Sequence, residues 1–264
     1  MLCRFISLSA LLALSVCAKE WRAPQSTLPP ALRNIGIDQK LGQTIPVNLQ
    51  FTDEAARTVR LGEYFGQKPV LLVLVYYQCP MLCSELLQGV MKALRVVPFE
   101  AGKQFDVVVV SFDPKDTPEN AMTKKREILQ RYGKRGDPAG WHFLTGQEPS
   151  IRALTQAVGF RYQWDQESQT FIHASGIMIL TPEARLARYF YGIEFQPSDL
   201  RLAFVEASKS KIGSPVDQLL LYCFHYDPAS GKYGLMILNI VRAGAAMTVF
   251  GLVGLILMLR RTNP

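Results

Sequence analysis

The stretch VYYQCPMLCSELLQGV, residues 75–90, sets Cys79 and Cys83 four residues apart directly after an apolar run. Such a pair can close into a disulfide, clamp a soft metal, or pack as two ordinary buried thiols. The CxxxC spacing is one residue longer than the CxxC of common dithiol oxidoreductases. A helix opening near Pro80 would point both sulfurs the same way, because residues i and i+4 share a helical face. Pro80 suits a first helical position, where no amide hydrogen is needed. The positive end of that helix favours thiolate over thiol, which fits a redox disulfide or a pair of soft metal ligands.

A metal reading requires a third donor, and the chain has three histidines. His142, in WHFLTG, sits between aromatic and apolar neighbours and reads as a packed strand residue. His173, in FIHASGI, has Ala, Ser and Gly beside it, which leaves the imidazole accessible. Two thiolates and one imidazole suit copper in either oxidation state. A second pair, Cys223 and His225 in LLYCFHYDPASGKYG, stands two residues apart. Alternate residues of an extended segment point to one side, so this pair could meet one metal. The same aromatic-rich segment also reads as packing at a membrane interface.

These side chains need elements to hold them. KPVLLVLVYY and FDVVVVSF are continuous apolar runs, the pattern of strands buried on both faces at the centre of an α/β sheet. SELLQGVMKALRVV carries Leu86, Leu87, Val90, Met91, Leu94 and Val97 on one helical face. Thr117 reads as an N-cap with Pro118 at the first helical position. WHFLTG reads as a short strand and EPSIRALTQAVGF as a helix. IPVNLQF, QTFIHASGIMIL and ARLARYFYG read as further strands, and QPSDLRLAFVEASK as a last helix capped by Ser198. From the first continuous apolar run onward the order is β-α-β-α-β-α-β-β-α, a central sheet covered by helices on both faces.

The net charge is +7, but the basic residues are scattered and form no stripe, which argues against nucleic-acid binding. Five cysteines are too few for a disulfide scaffold. Residues 1–18 read as a signal peptide cut after Ala18; acylation at Cys17, as in a lipoprotein, is the alternative. Residues 19–44, rich in Pro and Gln, form an extended lead-in, and 45–210 the folded domain. Residues 211–236 form a juxtamembrane segment and 237–260 a transmembrane helix. Ala243 to Leu259 carries no charge, and Arg260 and Arg261 follow, which by the positive-inside rule puts the body on the extracytoplasmic (periplasmic) side.

CPMLC at 79–83, VSFDPKDTP at 110–118, WHFLTG at 141–146 and the single His173 ahead of a strand, in that order, resemble the SCO/SenC family. The resemblance covers roughly residues 40–208. It implies a thioredoxin-like fold and a membrane-tethered chaperone delivering copper to the dinuclear copper centre of cytochrome c oxidase. By that resemblance Cys79, Cys83 and His173 are the copper ligands and Asp113 belongs to the loop near the site. The implied partners are the oxidase subunit carrying that centre and a thiol reductant that keeps the Cys79–Cys83 disulfide open. The family commonly has Asp directly before this histidine and a Tyr-Leu pair after it. Here the positions hold Ile172 and Met178-Ile179.

The competing reading is a thiol-disulfide oxidoreductase acting on an oxidase subunit or another exported protein. A common enzyme of that kind has CxxC and a cis-proline facing it. No proline stands between Phe160 and Thr181, and His173 occupies that region instead. A peroxidase is disfavoured because Tyr76, and no Thr or Ser, lies three residues before Cys79.

Overall fold

The computed structural model describes residues 34–79, 82–133 and 138–212, and the short pieces 226–227, 232–233, 244–245 and 247–253. The expected signal segment, Cys223, His225 and most of the apolar C-terminal stretch lie outside the described residues. Among the described residues no helix is long and apolar enough to cross a membrane.

The domain that carries the cysteines lies within Pro30–Tyr222. The two continuous apolar runs form its central strands, β4 (Val70–Val75) and β5 (Asp106–Ser111), with every residue of both buried. They run parallel in the register Val70↔Asp106 to Val75↔Ser111. A third parallel strand, β6 (Trp141–Leu144), lies beyond β5. On the other side of β4 lie β9 (Gly176–Leu180) and β10 (Leu186–Tyr191), giving the order β10-β9-β4-β5-β6. β9 runs antiparallel to β4, pairing Val70 with Leu180 and Val73 with Ile177. The end of β4 therefore meets the beginning of β9, and this pairing builds the site.

Helix α1 (Leu82–Val96) leads from β4 to β5, and α2 (Pro118–Tyr132) from β5 to β6. The six apolar residues expected on one helical face are all buried, five of them in α1 and Val97 just past its end. At Gly89 that face comes so close to the chain after β10 that a Cβ would stand 1.7 Å from the Ile193 carbonyl oxygen. Thr117 caps α2 as expected, accepting from the Asn120 amide, with Pro118 in the first turn. Helix α3 (Glu148–Ala157) packs against the strand Phe160–Asp165, and α4 (Pro197–Ser208) against α1, β9 and β10.

Four sequence expectations need correction. The strand expected at 45–51 is confined to β2 (Gln50–Thr52), which pairs with β3 (Thr58–Arg60) in a small hairpin. The N-cap of α4 is Gln196, not Ser198, because Pro197 already fits the first helical turn. The single strand expected over 169–180 is broken at Ala174-Ser175 into β8 (Thr170–His173) and β9. Finally, β7 (Phe160–Asp165) was not expected and pairs with β8 as a hairpin, while β1 (Gly36–Ile37) joins β7 on its other edge.

In a separate C-terminal unit, Tyr226–Asp227 (β11) pairs with Lys232–Tyr233 (β12), and residues 247–253 are helical.

Candidate metal centre

Cys79 follows β4 by four residues and His173 precedes β9 by three, so the antiparallel pairing of β4 with β9 brings them to one end of the sheet. Cys83 lies in the first turn of α1, where the i,i+4 relation carries it back toward Cys79. One ligand atom from each of Cys79, Cys83 and His173 lies within 4.8 Å of the other two. Cys83 Sγ stands 3.5 Å from His173 Nε2. Both cysteines are free thiols; Cys83 is only 3% exposed and Cys79 is half-buried.

The imidazole is oriented by the chain itself. Its Nδ1 lies 2.9 Å from the Ala174 carbonyl oxygen. A carbonyl can only accept, so the ring proton sits on Nδ1 and the Nε2 lone pair points toward the sulfurs. The acceptor that holds the ring, a part often played by a carboxylate beside a metal-binding histidine, is here the backbone carbonyl of Ala174. The ring is walled by Phe112 at 5.1 Å and by Tyr76 and Phe160, each at 6.0 Å.

The two thiols divide one negative charge unequally. A hydrogen bond from the Cys83 thiol, with another from Tyr76, pulls Cys79 down to about 3 against the opposing cost of burial. Donating to Cys79, together with burial, pushes Cys83 up. The Cys83 amide, 3.4 Å from Cys79 Sγ, adds the helix N-terminal donor expected for a thiolate. Burial and the neighbouring Cys79 thiolate push the Tyr76 phenol up. In the metal-free reduced pair, Cys79 is thiolate and Cys83 keeps its proton.

The other sequence candidates fall elsewhere. Asp113 does not join the three-residue cluster; its Oδ1 accepts the Lys115 amide at 2.9 Å and closes a turn. Beside the site, Asp113 and Lys115 border a groove of about 620 Å³ walled by Phe112, Tyr162, Trp164 and Phe171. His142 is a strand residue, as expected, its ring tilted against that of Tyr64 at 4.4 Å, and burial lowers its pKa.

One loop residue escaped the sequence reading. Asp116, 7% exposed, turns back beneath the cysteine segment and accepts from the Tyr77 amide and from Ser111 Oγ, each at 2.6 Å. The available signal was a serine closing a run of four valines, followed five residues later by an acid just ahead of a helix cap.

A family model described as SCO1/SenC matches residues 38–203, well over half of the chain. No protein among curated sequences matches it. Among solved structures, a candidate electron-transfer protein of Aquifex aeolicus VF5 is similar at 26% identity and TM-score 0.58, covering 67% of this chain and 98% of its own. ScoI of Arabidopsis thaliana, solved with copper bound, is similar at 16% identity and TM-score 0.51, over 64% of this chain and 99% of its own. A SCO1/SenC family lipoprotein of Bacillus anthracis str. Ames is similar at 18% identity and TM-score 0.52, over 66% and 99% respectively. At those identities the last two speak to the fold.

Proposed function

The chain belongs to the SCO1/SenC family, and we propose that it is a copper chaperone that loads the dinuclear copper centre of cytochrome c oxidase during assembly. The observation that carries the reading is the convergence of Cys79, Cys83 and the Nε2 face of His173 on one point. The donor set fits the cargo: thiolate and imidazole together favour copper over harder cations. Copper bound to Arabidopsis thaliana ScoI, a relative of like fold, supports the choice.

In this reading Cys79 is the first ligand, since it is already thiolate. Cys83 gives up its proton on binding, so loading is coupled to proton release. His173 offers Nε2 while Ala174 fixes the ring. A Cys79–Cys83 disulfide offers no thiolate, so a dithiol reductant must first supply two electrons and two protons and become a disulfide itself. We place the domain on the extracytoplasmic side, tethered by the helix expected at 237–260; the uncharged run from Ala243 to Leu259 ahead of Arg260-Arg261 supports this. Extraction of membranes at alkaline pH tests the tether: the protein stays in the pellet if it spans the bilayer and is released if it does not.

The half-exposed thiolate backed by a buried protonated thiol favours a second reading. An attacking Cys79 and a resolving Cys83 are what a dithiol reductase requires. Incubating the copper-loaded protein with the metal-free oxidase subunit separates the two. Chaperone function predicts transfer of copper to the subunit. Reduction of the subunit's disulfide with no copper moved would replace it by the reductase reading.

A further inference from the structure

The segment between β4 and Cys79 is pinned at several points. The Tyr77 hydroxyl donates toward the Leu144 carbonyl at 2.8 Å, with the Val109 carbonyl at 3.1 Å, which ties its ring beneath β5 and β6. The Gln78 side chain reaches Asn120 Oδ1 at 3.2 Å on the surface. The backbone itself is held by one side chain, Asp116, whose Oδ2 accepts from the Tyr77 amide and from Ser111 Oγ at 2.6 Å each. Ser111 Oγ in turn accepts the Asp113 amide at 3.1 Å, and the Asp116 amide donates to the Asp113 carbonyl at 3.1 Å. The loop 111–116 is thereby closed on itself with its carboxylate facing the cysteine segment.

Asp116 Oδ1 is buried and has no hydrogen-bond partner. Burying a carboxylate with an oxygen unpaired is costly, and an apolar residue or an amide there would avoid the charge. A site that merely needed to fill space would not choose aspartate. Tyr77, two residues before Cys79, is the first central residue of the turn in which the Cys79 amide bonds to the Tyr76 carbonyl at 3.3 Å.

We propose that Asp116 is the positioning residue of the cysteine site: through the Tyr77 amide it fixes the Cys79-bearing turn against the end of β5, setting where Cys79 Sγ stands relative to Cys83 and His173. It touches neither sulfur nor imidazole. The charge strengthens two bonds at once, since hydrogen bonds to ionised acceptors are shorter and roughly twice as strong as neutral ones. The inference rests on the copper-site reading for its purpose, but its geometry concerns the thiols alone.

The test uses the full chain with Asp116→Ala, Asp116→Asn and Ser111→Ala. In metal-free reduced protein, Cys79 alkylation is followed by peptide mass at fixed pH; in parallel, copper affinity and the thiolate-to-copper absorption band are recorded. Asn keeps one carbonyl oxygen for both donors, so it should restore most of what Ala removes. The expected result is a copper affinity lowered about tenfold or more in Asp116→Ala, in the range for outer-shell partners, with a shifted band and an altered Cys79 rate. Ser111→Ala, which leaves the Tyr77 bond in place, should shift both readouts less. If Asp116→Ala melts earlier but keeps the parental band, affinity and alkylation rate, Asp116 is only structural and the inference fails. Should Asp116→Ala fail to fold, Asp116→Leu, which fills the same space without an acceptor, takes its place: a Cys79 alkylation rate unlike the parent's supports the inference, and a parental rate overturns it. A parent protein that binds no copper would defeat the copper reading, and the alkylation comparison would still decide the role of Asp116.

Discussion

The two halves of the site are built by different means. The cysteine half grows from the buried centre: β4 and β5 are buried throughout, α1 packs its apolar face beneath, and Asp116 locks the turn between. The histidine half hangs on the β7–β8 hairpin, whose exposed and half-buried strands pair Tyr162 with His173 and Trp164 with Phe171. Its order comes from ring contacts, Phe171 meeting Trp164 at 4.9 Å, Tyr76 at 5.4 Å and Phe112 at 5.5 Å. A dithiol packed against the core thus faces an imidazole carried on a more exposed hairpin.

If the cysteine half is as asymmetric as described, the largest departure from ordinary behaviour is in thiol reactivity. An ordinary thiol gains about tenfold in alkylation rate per pH unit below its pKa, because only the thiolate attacks. Cys79, held near about 3, should alkylate at a rate that is flat between about pH 5 and 8. A rate rising tenfold per unit would show that the pair does not share a proton as described. The linkage sign is fixed by the same shift: between about 3 and the ordinary thiol value the unfolded chain holds the Cys79 proton and the folded chain does not. This residue therefore stabilises the fold increasingly as pH rises through that window, and the contribution is lost toward the acid end.

Cys83→Ser removes a soft ligand and should lower copper affinity by at least about a hundredfold, more than losing an outer-shell partner costs. Retained tight binding in a competition with a copper chelator would remove Cys83 from the site. His173→Ala should separate the oxidation states, since Cu(I) tolerates two thiolates alone. We expect a loss on the order of tenfold greater for Cu(II) than for Cu(I). Equal losses would mean that the hairpin contributes no ligand.

The smallest effect concerns the seat of α1. Gly89→Ala places a methyl against the Ile193 carbonyl, where backbone must shift. Overpacking of this kind costs about 1–3 kcal/mol, readable as a lower urea midpoint. It should also reduce copper affinity, because α1 carries Cys83; an unchanged midpoint would mean that the contact is looser than described.

The same contrast decides what was legible in the sequence. Val70–Val75, Asp106–Ser111 and the face of α1 announce themselves because a strand or helix buried in the core must be apolar in a fixed pattern. The Thr117-Pro118 cap is equally local. The hairpin is not: RYQWDQESQT mixes charge and amide with aromatics, and its order depends on partners far away in the chain. His173 could be singled out by its small neighbours, but its meeting with the cysteines depends on β9 pairing with β4, a long-range fact. Asp116 was missed in favour of Asp113 for the same reason. Both acids look alike in VSFDPKDTP, and only the fold shows that one closes its own turn while the other reaches the Tyr77 amide.

The most direct test is copper stoichiometry on the reduced full chain, with the thiolate-to-copper absorption spectrum recorded beside it. One tightly bound copper per chain, with its charge-transfer band lost in Cys79→Ser and shifted in His173→Ala, is the predicted result. A reduced protein that binds no copper yet rapidly reduces a disulfide substrate would contradict the account and make the pair a dithiol reductase.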